Sequence, residues 1–244
     1  MTFEAIINKV KNLFFTNKCG ICKKVITENN YICDDCKKFL SVVSDNTYLK
    51  DSTWISKPFF DDISAPFYYE DGSKVAMVNL KFKGMRDNCY FFGEKMAEVF
   101  LSKYKSEDFD YIVYVPTTKN RLKDRGFNPP YLMAKKFSEI SKIPILEDIF
   151  KRDNNSRTQH SLEYKDRFEN ADKSYTINNS KFSGKNFVLI DDICTTGATL
   201  NSLSKLLKEN GAQKIVCSVG CIGRTSLQSL SKIKSYKNEI SHKC

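Results

Sequence analysis

The sequence predicts an α/β protein: an open, mainly parallel sheet with flanking helices, joined to a small N-terminal module rich in cysteine. Three observations carry that expectation. Phe187-Val188-Leu189-Ile190 is short, apolar and branched enough for a buried strand; Asp191-Asp192, a Thr/Gly loop and a Leu200, Leu203, Leu206, Leu207 stripe at helical spacing follow it. Gly211 then stands where a helix C-cap is expected, and residues 215–219 read as the next strand of a βαβ unit. Finally, two Cys-x-x-Cys pairs fall close together near the N-terminus.

From the N-terminus, Phe3, Ile6, Ile7, Val10, Leu13 and Phe14 recur at helical spacing. Such a helix can dock on the next module, pack in a dimer or lie on a membrane; its mixed polar face favours docking. Cys19-x-x-Cys22 and Cys33-x-x-Cys36 follow, with ten residues between the pairs. Each pair offers two thiolates from one tight turn, and together they complete a tetrahedral four-thiolate site with no open position. A structural Zn²⁺ ion is therefore expected there. Lys23, Lys24, Lys37 and Lys38 beside the pairs suit contact with nucleic acid, and equally suit offsetting the site's negative charge. The expected domains are the helix and cysteine module at 1–43, a linker at 44–63, the main domain at 64–224 and a polar tail at 225–244.

In the main domain, Phe67-Tyr68-Tyr69 reads as a strand, Glu70-Asp71-Gly72 as a turn and residues 74–82 as a helix. Phe92, Met96, Val99 and Phe100 repeat as a core stripe. Tyr111-Ile112-Val113-Tyr114-Val115 is a second buried strand, stopped by Pro116. The loop expected at 117–125 carries Lys119, Arg121, Lys123 and Arg125; Gly126-Phe127-Asn128 then leads into a helix with Pro129 and Pro130 in its first turn. Ligands of open α/β sheets bind beyond the carboxyl ends of the strands, so this basic loop and the Asp191-Asp192 loop should share one crevice. The basic loop suits a pyrophosphate, and also suits a solvated surface. Residues 152–170 are polar and aperiodic, the character of a functional lid, with Arg157, Thr158, Gln159, His160, Arg167 and Asn170. No cysteine or serine partner identifies His160 as a base.

The 244 residues suffice for one α/β core and an accessory module, and the formal charge of +10 favours an anionic partner: nucleic acid, a phosphorylated substrate, or both. No apolar run is long enough to span a membrane. Glu4, Lys9 and Lys11 interrupt the N-terminal apolar residues, which does not match an export signal. Nine cysteines, an odd number, argue for metal ligation over a disulfide framework, and a cytoplasmic location is expected.

The central stretch has a chemical logic. A helix N-terminus offers unpaired N–H groups and a partial positive charge to a phosphate; Gly197 allows close approach, and Thr195, Thr196 and Thr199 add hydroxyl donors. Asp191 and Asp192, when ionised, only accept hydrogen bonds and so suit the vicinal hydroxyls of a ribose. The ordered series resembles the phosphoribosyl-pyrophosphate (PRPP) loop of type I phosphoribosyltransferases, and Cys194 falls where that pattern is variable. Four features precede it in order: the cysteine pairs, Leu80-Lys81-Phe82-Lys83-Gly84, Arg125-Gly126-Phe127-Asn128, and Arg157-Thr158-Gln159 with Arg167 and Asn170. With them the chain resembles the ComF family, a four-cysteine zinc module fused to a type I phosphoribosyltransferase-like domain. Pro129 departs from that family's usual polar residue.

The resemblance implies a bacterial role in competence and natural transformation, the uptake of single-stranded DNA (ssDNA), and a competence helicase (ComFA-like) as partner. Two readings of the pocket follow. In the first, an enzyme uses PRPP and Mg²⁺: Asp191 and Asp192, the catalytic candidates, hold the ribose hydroxyls, Thr195, Thr196, Gly197 and Thr199 hold the 5-phosphate, and Lys119, Arg121 and Arg125 neutralise the leaving pyrophosphate. An amidophosphoribosyltransferase-like metabolic enzyme is a variant of it. In the second, the pocket only grips a phosphorylated ligand and the chain is an ssDNA-binding adaptor. The acceptor is not legible.

Overall fold

Two nine-residue strands, β7 (Asn186–Cys194) and β8 (Lys214–Ile222), form the middle of the sheet. Phe187 and Leu189 pack on one face of β7, Val188 and Ile190 on the other, and all four are inaccessible to solvent. Burial on both faces is what a continuous apolar run in a parallel sheet requires. The structure, a computed structural model, describes residues 17–26, 30–44, 55, 57–152, 175–178 and 181–223. The expected N-terminal helix, the lid positions Arg157, Thr158, Gln159, His160, Arg167 and Asn170, and the tail at 225–244 lie outside them.

The remaining strands of the sheet are β1 (Leu40–Val42), β2 (Asp62–Ser64), β3 (Phe67–Glu70) and β4 (Tyr111–Tyr114). The order is β1-β3-β8-β7-β4, with β2 also on β8. All pairings are parallel except β1 on β3. β2 and β3 are successive pieces along one edge of β8, interrupted at Pro66, which has no N–H for a ladder. A separate antiparallel pair joins β5 (Phe150–Arg152) to β6 (Tyr175–Ile177).

Helices cover both faces. The short α1 (Asp34–Lys37) belongs to the cysteine module. On the Val188 face, α2 (Asp71–Phe82), α3 (Asn88–Lys103) and α5 (Pro129–Ser141) bury Met77, Leu80, Phe92, Met96, Phe100, Met133 and Phe137. On the Phe187 face, α6 (Ala198–Glu209) buries Leu200, Leu203 and Leu207 against Ile215, Cys217 and Val219. The expected mainly parallel α/β sheet with flanking helices is the fold observed. No helix among the described residues is long and apolar enough to cross a membrane.

Four local expectations are corrected. The turn read at 70–72 is the start of α2: Glu70 is its N-cap and Asp71 its first residue. The basic loop read at 117–125 is instead helix α4 (Lys119–Arg125), because Thr118 caps it by accepting from the Arg121 N–H at 3.2 Å and Gly126 closes it at φ 79°. Within the stretch read as linker, β2 joins the sheet. The acid pair is not beyond the strand but inside it, since β7 continues in register with β8 to Cys194.

The cysteine module is sewn into the main domain. Cys19, Ile32 and Cys36 share a core with Phe92 and Leu80. Asn79 Nδ2 donates to the carbonyls of Gly20 and Ile21 at 2.9 and 3.1 Å, and Asn88 Nδ2 to those of Gly20 and Ala76 at 3.2 and 2.7 Å. Both asparagines are buried, so these bonds satisfy groups that water cannot reach. Gly20 is required by that contact: a Cβ there would lie 1.8 Å from Asn88 Oδ1.

Candidate functional site

A cleft of about 770 Å³ opens where the strands end, within the range of about 300–1,000 Å³ found for small-molecule sites. Alternation along β7 sends its two carboxylates to opposite faces of the sheet. Asp191 continues the Phe187 side and is 8% exposed; Asp192 continues the Val188 side. Both line the cleft, which thus wraps the end of the strand.

Their charges are managed differently. Asp192 Oδ2 pairs with Lys81 Nζ at 2.8 Å, with the two side chains mostly withdrawn from solvent. Asp191 Oδ1 accepts the Asp192 backbone N–H at 2.8 Å. Burial, and then the neighbouring Asp192 carboxylate, push the Asp191 carboxyl up to about 8; that N–H, Lys81 and Arg152 act against the rise. The site therefore holds one carboxyl paired with an ammonium, beside one that gives up its proton reluctantly.

The Thr/Gly turn leads straight into α6. Gly197 takes φ 82° as the N-cap, a conformation glycine adopts without strain, and it contributes no capping side chain. Thr196 Oγ1 accepts the Ala198 N–H at 3.3 Å. Thr199 lies within the helix, not at its cap, and lines the cleft; Thr195 is exposed and Thr196 half-buried.

The opposite wall is basic. Arg121 and Arg125 line the cleft from α4, and Arg125 Nε donates to the Lys81 carbonyl at 3.0 Å. Lys119, exposed on the first turn of α4, is not among the residues lining the cleft. Arg152 and Tyr175 are register partners in the β5–β6 pair, with the guanidinium 5.3 Å from the ring centroid. Arg152 Nε is buried without a hydrogen-bond partner among the described residues, which leaves a donor for an anion.

Lys81, Tyr69, Asn128, Arg152 and Tyr175 line the cleft, and none was assigned a role from the sequence. Lys81 and Asn128 lie in the stretches that carry the family resemblance, which was a usable signal. Arg152 and Tyr175 flank the polar segment 153–174, and only the antiparallel register of their strands brings them together.

The cysteine centre meets the geometric test for one metal ion. The four Sγ atoms of Cys19, Cys22, Cys33 and Cys36 lie within 4.8 Å of one another. Cys22 and Cys33 are 3.8 Å apart, close to the edge of a tetrahedron with metal–sulfur bonds of about 2.3 Å. The Cys33 N–H donates to Cys19 Sγ at 3.4 Å. Against burial, which raises it, donors from the Cys33, Cys22 and Ile21 backbone and from Cys22 bring the Cys19 thiol down to about 6, as a thiolate ligand needs. Lys37 and Lys38 pair with Asp34 and Asp35 one turn away.

Comparison with known proteins agrees with this architecture. A family model described as phosphoribosyl transferase domain matches residues 123–242. Competence protein F of Haemophilus influenzae is 38% identical over 106 residues, 43% of this chain and 46% of that protein, so the match spans less than half of that relative's length. Competence protein ComFC of Bacillus subtilis is 27% identical over 188 residues, 77% of this chain and 70% of that one. Among solved structures, the glutamine PRPP amidotransferase of B. subtilis shares 18% identity over 55% of this chain and 26% of its own, with a TM-score of 0.38. The family model covers the acid pair and the turn after it, and the ComFC match runs over most of both chains. These matches support a ComF-family protein with a phosphoribosyltransferase-like domain.

Proposed function

We propose that the cleft binds PRPP with Mg²⁺, and that the chain serves the handling of ssDNA in natural transformation together with a competence helicase. The observation that carries the pocket reading is that Asp191, Asp192 and Thr199 line one cleft with Arg121, Arg125 and Arg152. A molecule with a phosphate at one end, a diol in the middle and a pyrophosphate at the other matches that order of groups.

Asp192, paired with Lys81, accepts from one ribose hydroxyl, and Asp191 from the other once its proton is lost. The turn of Thr195, Thr196, Gly197 and Thr199 receives the 5-phosphate on its amides and hydroxyls. Arg121, Arg125 and the unpartnered Nε of Arg152 face the pyrophosphate, taking the part expected of Lys119. Bound together with PRPP, Mg²⁺ would supply further positive charge to offset the pyrophosphate beside Arg121 and Arg125. At the cysteine centre the ion proposed is Zn²⁺, held by four thiolates with no position for substrate, and hence structural.

Calorimetric titration of PRPP with Mg²⁺ into the wild type and into Asp191→Asn/Asp192→Asn tests the reading. Saturable binding that the double variant loses is the expected result; equal affinity for both removes the pocket assignment. Pyrophosphate release with candidate acceptors then separates an enzyme from a binding module. If PRPP does not bind while ssDNA binds with a steep salt dependence, the adaptor reading takes its place.

A further inference from the structure

The cysteine module and the chain that leaves it hold α2 at both ends. At the first turn, the Phe39 carbonyl accepts the Gly72 N–H at 2.9 Å, and Ser41 donates its N–H to Ser73 Oγ at 3.0 Å and its hydroxyl to Asp71 Oδ2 at 2.9 Å. The approach is so close that a Cβ on Gly72 would lie 2.6 Å from the Phe39 oxygen. At the last turn, the buried Asn79 amide donates to the carbonyls of Gly20 and Ile21, the two residues between Cys19 and Cys22. The turn that Asn79 holds is therefore the turn that closing a metal site would shape. Past Asn79 the helix runs out into the cleft, which Lys81, Phe82 and Gly84 line. The Asn79 carbonyl accepts the Lys83 and Met85 N–H groups at 3.0 and 3.3 Å. Two residues beyond Asn79, the Lys81 ammonium pairs with Asp192, and the Lys81 carbonyl accepts from Arg125 Nε.

We propose that Asn79 is a positioning residue for the cleft, carrying the state of the four-cysteine centre to Lys81 and Arg125. The inference rests on the PRPP reading of the cleft and adds a regulation to it. With a metal ion bound, the Cys19–Cys22 turn presents two carbonyls to Asn79, the end of α2 is fixed and Lys81 sits on Asp192. Without the ion the turn opens, a buried amide loses its acceptors and the end of α2 loosens. Asp192 then faces the cleft without its ammonium and Arg125 loses its anchor, so positive charge is lost where an anionic ligand would sit. Such coupling is reciprocal: a ligand that needs Lys81 in place raises the metal affinity by the factor by which the metal raises the ligand's.

The test uses zinc-loaded and chelator-treated wild type, Asn79→Ala, Lys81→Met and the double variant, with PRPP and Mg²⁺ as the probe. Chelation is expected to lower wild-type affinity for PRPP about five- to tenfold, and Asn79→Ala to do the same with its zinc still bound. In the Lys81→Met background, Asn79→Ala should change nothing further, which a merely structural loss would not produce. Competition with a zinc-selective chromophoric chelator should show PRPP raising the zinc affinity of the wild type by that same factor, but not that of Lys81→Met. Hydrogen exchange at Lys83 and Met85 should quicken on chelation while Val188, Leu189 and Ile190 stay protected. Additive losses in the double variant, a zinc affinity unmoved by PRPP that binds, or exchange that quickens alike throughout the sheet overturn the proposal. If Asn79→Ala fails to fold, the zinc titrations of wild type and Lys81→Met decide alone. If the loaded wild type does not bind PRPP, the pocket reading fails and the exchange decides the coupling: quicker at Lys83 and Met85 without zinc, it stands; unchanged there, it falls.

Discussion

Replacing Asp191 by Asn should stabilise the protein at pH 8 and leave its stability at pH 4 nearly unchanged. The carboxyl is 8% exposed, and its pKa in the fold rises from 3.8 to about 8, first through burial and then through Asp192. Below pH 4 it is protonated folded and unfolded alike, and contributes no difference. Between pH 4 and 8 the folded state keeps a proton that the unfolded chain releases, so wild-type stability falls as pH rises through this window. At 1.36 kcal/mol per unit the full shift is at most about 6 kcal/mol. Coupling to Asp192 and water entering the open cleft reduce the expected gain to about 2 kcal/mol, or roughly 4–8 °C in Tm for a chain of this size. Asn keeps an oxygen for the Asp192 N–H, so the strand geometry survives. The assay is thermal unfolding of wild type and variant at half-unit steps from pH 4 to 8. Taking the difference cancels titrations elsewhere, including those of the thiols. A gap that is constant with pH, or a variant less stable at pH 8, would refute the reasoning.

Other predictions follow from neighbouring contacts. Lys81→Met strands the Asp192 carboxylate in a largely desolvated place; a cost of about 2–3 kcal/mol by urea unfolding is expected, with weakened PRPP binding. Gly197→Ala, forced to φ 82°, should cost about 1–2 kcal/mol and weaken ribose 5-phosphate more than free pyrophosphate, as paired titrations would show. Cys19→Ser or Cys33→Ser should abolish metal binding at the four-cysteine centre and loosen the module, with full zinc occupancy by metal analysis the contrary outcome. Asn88→Ala leaves the Gly20 and Ala76 carbonyls short of a buried donor; a loss of about 1–3 kcal/mol is expected, and an unchanged Tm would deny that the module is clamped there.

Where side-chain pattern and backbone pattern coincide, the sequence was readable. The apolar run at 187–190 announced the central strand, and the Thr/Gly turn announced the helix after it, because each is dictated by local chemistry. Strand alternation, once β7 is known to include Asp191 and Asp192, explains why one carboxylate is buried and the other paired. The strand's extension to Cys194 was not legible: it depends on pairing with β8, and carboxylates are poor strand formers in isolation. Helix α4 is bracketed by Thr118 and Gly126, yet its seven residues hold four basic groups and Leu122 as their one apolar side chain, so no helical periodicity marks it in the sequence. Lys81, Arg152 and Tyr175 reach the site only through tertiary packing, more than twenty residues from the motif in the first two cases, so no spacing rule pointed to them. The asparagine clamp on the cysteine module was hidden for the same reason.

The structure of the protein crystallised with PRPP and Mg²⁺ decides whether this cleft is a ribose-phosphate site. The 5-phosphate is expected against the Thr195–Thr199 turn and the ribose hydroxyls within hydrogen-bond distance of Asp191 and Asp192. PRPP bound elsewhere, or no PRPP in the cleft at millimolar concentration, would contradict it.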